Sequence, residues 1–210
     1  MKELIADLDR YFCEHYANYD KLCVQPGYHM PEMHATKTDE YGRTVAYTLP
    51  PKTMRLSKQE NKEQILAGLK AQMLDKTFSF SFQPYGFFKR IIKRFDKHAF
   101  HRQLKETFSV NKTDKAAACE MLTIDSEIWK RICRGDFLPT KNLIFSLALT
   151  SHFSFDQTQN LLLCCDYAFD LSLEKDVVIA YLLQKRVYNA EMVRCALEEY
   201  KVENLFIKEA

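Results

Sequence analysis

Cys13 with His15, His98 with His101, and His29 with Glu32 and His34 are the neighbouring side chains whose types suit covalent or metal chemistry. A Cys-His nucleophile needs its imidazole brought onto the sulfur, and two helical residues two apart point away from each other. His98 and His101 stand one helical turn apart and could share a metal, but no carboxylate follows at the next helical step; a polar, basic helix face is the simpler reading. His29, Glu32 and His34 lie in a proline-containing stretch and offer a weaker version of the same idea. The adjacent Glu198 and Glu199 diverge on a helix and read as a solvated face rather than as an acid-base pair. The five glycines, at 27, 42, 68, 86 and 135, are too far apart for GxGxxG or GxxxxGK[ST], so dinucleotide and P-loop chemistry are excluded. The expectation is a non-enzymatic protein with no catalytic residues, no metal and no cofactor.

The seven cysteines, at 13, 23, 119, 133, 164, 165 and 195, are odd in number and contain no CxxC pair. That pattern fits reduced, largely buried thiols rather than a disulfide framework or a structural zinc site. The opening MKELIADLDR has no apolar targeting segment, and Asn142 to Phe155, uncharged for fourteen residues, is short of a bilayer span. A cytoplasmic location is expected.

Charge is unevenly spread. Residues 84–112 carry eight Lys and Arg against two Asp and Glu, whereas residues 113–210 carry eleven against fifteen. In the basic stretch, Phe88, Ile91, Ile92, Phe95, Ala99 and Leu104 recur at three-and-four spacing, opposite Lys89, Arg90, Lys93, Arg94 and Lys97, with Arg102 further along. Such a basic amphipathic helix fits a solvated face, a nucleic-acid contact surface or a membrane surface.

The elements that would hold these residues are mainly helical. Leu4, Ile5, Leu8, Phe12, Tyr16 and Tyr19 predict one helix over 3–23, ending before Pro26-Gly27. The alternating runs Thr44–Leu49 and Thr77–Phe82 read as two strands of a small ribbon. Between them Ser57 and Glu60 have the spacing of a capping box ahead of a helix carrying Ile65, Leu66, Leu69 and Met73. Near the end, Leu173, Val177, Val178, Tyr181 and Leu182 form one helical stripe. Met192, Val193, Ala196, Leu197 and Tyr200 form another, with Asn189 as N-cap.

In between, Asp114 to Leu122, Thr123 to Ser126, Glu127 to Ile132 and the run Ile132-x-x-Gly135-x-x-x-Pro139-Thr140 follow one another with short turns. Ala117, Ala118, Met121, Ile124, Ile128 and Ile132 are spaced to share a core, Gly135 can supply a left-handed C-cap, and Pro139-Thr140 opens the next helix, which Phe145, Leu147, Ala148 and Leu149 fill. Over residues 98–166 this resembles the lambda-repressor-like (Cro/XRE-type) helix-turn-helix in degenerate form. Thr123 stands where the turn glycine is usual, and Asp125 and Glu127 add negative charge. The resemblance implies that Ser126, Glu127 and Lys130 read base edges, with Lys115 and Lys141 toward phosphates. Arg131 and Arg134 complete the helix that carries any sequence preference. With its last two helices, this half also resembles a helical module appended to other domains, such as macro domains, in bacterial proteins.

The expected fold class is therefore mainly α, with a small mixed α/β part (1–83), a basic helical connector (84–112) and a helix-turn-helix-like domain ending in two further helices (113–210). The expected function is that of a bacterial regulator binding DNA, with homodimerisation open. The alternative is a protein-protein adaptor reusing the fold, with Trp129, Ile128 and exposed N-terminal aromatics as anchors.

Overall fold

The structure is a computed structural model that describes residues 1–73 and 98–208. Among them are ten α-helices, one short 3-10 helix (Leu56–Lys58) and one two-stranded sheet. The helices are α1 (Lys2–His15), α2 (Tyr19–Cys23), α3 (Lys62–Gln72), α4 (Ala99–Asn111), α5 (Lys115–Glu120), α6 (Ser126–Arg134), α7 (Lys141–Thr150), α8 (Phe155–Leu163), α9 (Glu174–Gln184) and α10 (Ala190–Glu199). The mainly helical class is as expected. No helix among the described residues is long and apolar enough to cross a membrane.

Two helices form the centre. Every residue from Leu143 to Leu149 in α7 and from Asp176 to Leu183 in α9 is buried, so these helices are covered on all sides, as their near-continuous apolar runs require. The apolar stripe expected on α9 thus widens to include Ile179, Ala180 and Leu183. Around the centre, α1 packs on α9 and α10, α4 on α6 and α8, and α8 on α7 and α9. Leu4, Leu8 and Phe12 of α1 belong to the same buried cluster as Leu122, Ile132, Val177 and Phe206.

The single N-terminal helix expected over 3–23 is two helices. Tyr16 turns extended (ψ 129°), the Ala17 amide donates to the Leu171 carbonyl at 2.9 Å, and Asn18 caps α2 by accepting from the Lys21 amide. Tyr16 is fully buried and donates its hydroxyl to Glu174, so long-range partners override local periodicity here. Two more tyrosines fasten α1 to the C-terminal helices: Tyr181 donates to Asp7 at 3.1 Å and Tyr200 to Asp9 at 2.7 Å. Lys70 bridges Asp9 and Glu199 at 2.7 and 2.6 Å.

The strand Thr44–Leu49 pairs antiparallel with Met33–Thr38, from Met33 opposite Leu49 to Thr38 opposite Thr44. The partner expected for it, Thr77–Phe82, lies outside the described residues. The Asp39–Arg43 turn closes the hairpin locally: Asp39 Oδ1 accepts from the Tyr41 and Arg43 amides, both at 2.9 Å, and Gly42 takes φ +76°. The Ser57–Glu60 capping box is also corrected. Residues 56–58 form a 3-10 turn, and α3 begins later, at Lys62, with no side-chain cap on Asn61.

The C-terminal half keeps its expected helix starts. Asp114, Asp125, Thr140 and Asn189 each accept a backbone N–H of the first turn, and Ser154 with Gln157 forms a full capping box at α8. The helix ends are less orthodox. Thr113, Asp136, Phe153, Tyr167, Val187 and Val202 each donate an amide five residues back, at 2.8–3.0 Å, around a left-handed residue. That residue is Gly135 once, and otherwise Lys112, His152, Asp166, Arg186 or Lys201.

Candidate nucleic-acid interface

The expected reading helix, α6, has one buried and one exposed side. Trp129 and Ile132 point into the core, with Ile128 and Ile124 packed against it, while Ser126, Glu127, Lys130, Arg131 and Arg134 are exposed. These five positions recur at the spacing of one helical face. Three cations and one carboxylate leave that face with a surplus of positive charge. Lys130 lies 3.7 Å from Glu127 in an exposed pair, and the Arg131 guanidinium sits over the Phe137 ring, 4.0 Å from its centroid. The stacked ring limits where the guanidinium can go while leaving its N–H edge to solvent. Phe137 follows the Gly135 cap, beyond the helical period, so spacing alone did not associate it with Arg131.

Asp125 has a local purpose that its charge conceals. Its Oδ1 accepts from the Glu127 amide at 2.8 Å and the Ile128 amide at 3.3 Å, which satisfies two of the four otherwise unpaired N–H groups at the start of α6. Thr123 likewise gains a partner that sequence could not show: its amide donates to the Phe206 carbonyl at 2.9 Å. The shared core of α5 and α6 is corrected in part. Because α5 stops at Glu120, the inward positions are Ala118 and Leu122, while Ala117 and Met121 are exposed.

The remaining expected contact residues fall in several places. Lys115 opens α5, half-buried, and Arg102 is on the exposed side of α4. Lys141 reaches inward to the buried carboxylate of Asp176, which also accepts from the Asp170 amide at 2.7 Å. Burial pushes the Asp176 carboxyl above the usual carboxylate range, against the pull of Lys141 and of that amide. Lys89, Arg90, Lys93, Arg94 and Lys97 lie outside the described residues.

No family model, no curated protein and no solved structure matches the chain.

Of the groups weighed for covalent or metal chemistry, His15 and His34 meet other side chains or carbonyls. Cys13 is buried, and burial pushes its thiol up to about 11, so it is protonated at neutral pH. His15 stacks on Tyr11 at 3.9 Å and shares a hydrogen bond between its Nδ1 and the Tyr11 carbonyl. His29 meets Gln59 through its backbone, and His34 Nδ1 meets the Thr48 hydroxyl at 3.3 Å. Burial pushes the His101 imidazole down, and its buried Nδ1 has no hydrogen-bond partner among the described residues. Among the described residues no group of three His, Cys, Asp or Glu is placed to hold a metal ion. Trp129, weighed as an anchor for a partner, is 6% exposed and meets Phe108 edge-on, with 6.5 Å between centroids. It belongs to the core.

Proposed function

We propose that the protein is a regulator that binds duplex DNA, laying the exposed face of α6 along a groove. The reading rests on that face: Lys130, Arg131 and Arg134 follow Ser126 and Glu127 on a capped nine-residue helix whose opposite side is fixed by Trp129 and Ile132. Cations would neutralise phosphates, and Ser126 and Glu127 in the first turn would meet base edges, where a carboxylate accepts from cytosine. The helix-turn-helix resemblance supports this division of labour, and the basic stretch 84–112 would add sequence-independent phosphate contacts. The activity is proposed to need no catalytic group.

Fluorescence anisotropy of the full chain against a mixed-sequence duplex, with salt raised from about 50 to 200 mM, tests it. Affinity that falls steeply with salt is the expected result. No binding at the lowest salt would overturn it.

One observation favours a second reading, a protein-protein adaptor. Register places Met33, Ala35, Lys37, Val45, Tyr47 and Leu49 on one face of the hairpin, where Met33, Val45 and Tyr47 are each more than 40% exposed. An isolated two-stranded ribbon is marginal in water, and a partner covering this face would stabilise it.

A further inference from the structure

Arg131, in the last turn of α6, is exposed, yet its guanidinium lies over the Phe137 ring, with Cζ 4.0 Å from the centroid. The backbone builds this platform. Gly135, left-handed at φ +80°, turns the chain out of α6; its amide donates to the Ile132 carbonyl at 3.0 Å, and the Asp136 amide donates to the Arg131 carbonyl at 2.9 Å. Phe137 follows, half-buried and packed against the core. Pro139 is buried, and Thr140 caps α7 by accepting from the Leu143 amide at 3.2 Å, so the segment that carries the ring is anchored on both sides. A long side chain on an open surface samples many rotamers and loses that freedom when a ligand fixes it. A planar guanidinium already stacked on a ring has lost much of it beforehand and keeps its N–H edge for acceptors.

From this we infer that Phe137 is a positioning residue for duplex binding: it orders Arg131 in advance, so that the guanidinium meets a pair of acceptor atoms on the duplex, two phosphate oxygens or the O6 and N7 of a guanine. The inference rests on the DNA-binding reading of α6. Phe137 acts through Arg131 and contributes no contact of its own to the duplex. Its effect on affinity therefore exists only while the guanidinium is present.

The experiment is a double-mutant cycle by anisotropy at about 50 mM salt, with wild-type, Phe137→Leu, Phe137→Tyr, Arg131→Gln and Phe137→Leu/Arg131→Gln full-length proteins on an A·T-only and a G·C-only duplex. Phe137→Leu should bind about two- to tenfold more weakly, the range for a rotamer-rich side chain that must be ordered on binding. Phe137→Tyr, which keeps the ring, should bind like the wild type. In the Arg131→Gln background Phe137→Leu should cost nothing further, a non-additivity that a merely structural role would not produce. An equal loss for Arg131→Gln on both duplexes assigns the acceptors to phosphate, and a loss confined to the G·C duplex assigns them to guanine. Additive losses, or wild-type affinity in Phe137→Leu, would overturn this inference and leave the α6 reading standing. Absence of binding by the wild-type protein would overturn both.

Discussion

Asp125 sets local stability against duplex affinity, and two substitutions separate them. Its carboxylate accepts two amides at the start of α6, at 2.8 and 3.3 Å, in an exposed setting. Asp125→Ala removes the cap and should cost about 1 kcal/mol, the usual worth of such a cap. Asp125→Asn keeps an equivalent acceptor and loses only the charge's favourable interaction with the helix dipole, about 0.3–0.5 kcal/mol. If α6 enters a groove, the Asp125 carboxylate lies near the phosphates. One charge removed at about 6–7 Å in a water-like dielectric is worth about 0.6 kcal/mol, roughly threefold in affinity. Asp125→Asn should thus bind a duplex about threefold more tightly near 50 mM salt, with the gain fading as salt screens it. Asp125→Ala should gain less, because a frayed first turn no longer presents Ser126 and Glu127 steadily. Urea denaturation gives the stability differences, and anisotropy titrations give the affinities. An Asp125→Asn protein of near wild-type stability that binds no tighter at low salt would refute the placement of this helix end beside phosphates.

Two further substitutions test the scaffold. Arg186, exposed and left-handed at φ 54°, closes α9; Arg186→Gly relieves a strain of about 1–2 kcal/mol, of which glycine's greater unfolded-state freedom takes back about 0.5–1. A net gain near 0.5–1 kcal/mol should raise the melting temperature by about 2 °C, and a fall would mean that the arginine makes a contact worth more than the strain. Asp176 is held above the usual carboxylate range by burial, so its contribution to stability is full below 3.8 and lost as pH rises through its folded value. Relative to Asp176→Asn, which does not titrate, the wild-type protein should lose stability from pH 3 upward to a plateau. Urea midpoints across that range check it, and a relative gain by the wild type would show that the attraction of Lys141 outweighs burial.

The helix starts of the C-terminal half were legible because each is a local event. Asp114, Thr140 and Asn189 sit just ahead of apolar periodic runs, and a side-chain oxygen two or three residues from its donor needs nothing distant. Helix ends were legible only at Gly135. At Lys112, His152, Asp166, Arg186 and Lys201 the left-handed turn is held instead by the following residue, as where Phe153, Val187 and Val202 seat against the core. The break at Tyr16 was hidden because its partner, Glu174, is 158 residues away. Met33–Thr38 carries only two β-branched residues, both threonines, and its strand character comes from the Asp39 turn that folds it onto Thr44–Leu49. Of the candidate surface, the residues of α6 came from the helix-turn-helix resemblance, and the structure leaves Ser126, Glu127, Lys130, Arg131 and Arg134 exposed. The inward turn of Lys141 depended on a carboxylate 35 residues on, and the cap formed by Asp125 looked from sequence like misplaced charge.

The packing of α1 against α9 and α10 also sets a timetable for synthesis. Leu56–Lys58 and α3 pack on α1, but α9 and α10, which complete its cover, lie about 160 residues after it. At roughly 5–20 residues per second, α1 waits on the order of 10 s outside the ribosome with part of its apolar side wet. During that interval it is a target for chaperones and for neighbouring nascent chains. A polypeptide halted after α8 would keep that exposure permanently, so truncated products should be recognised and degraded while the full-length chain is spared.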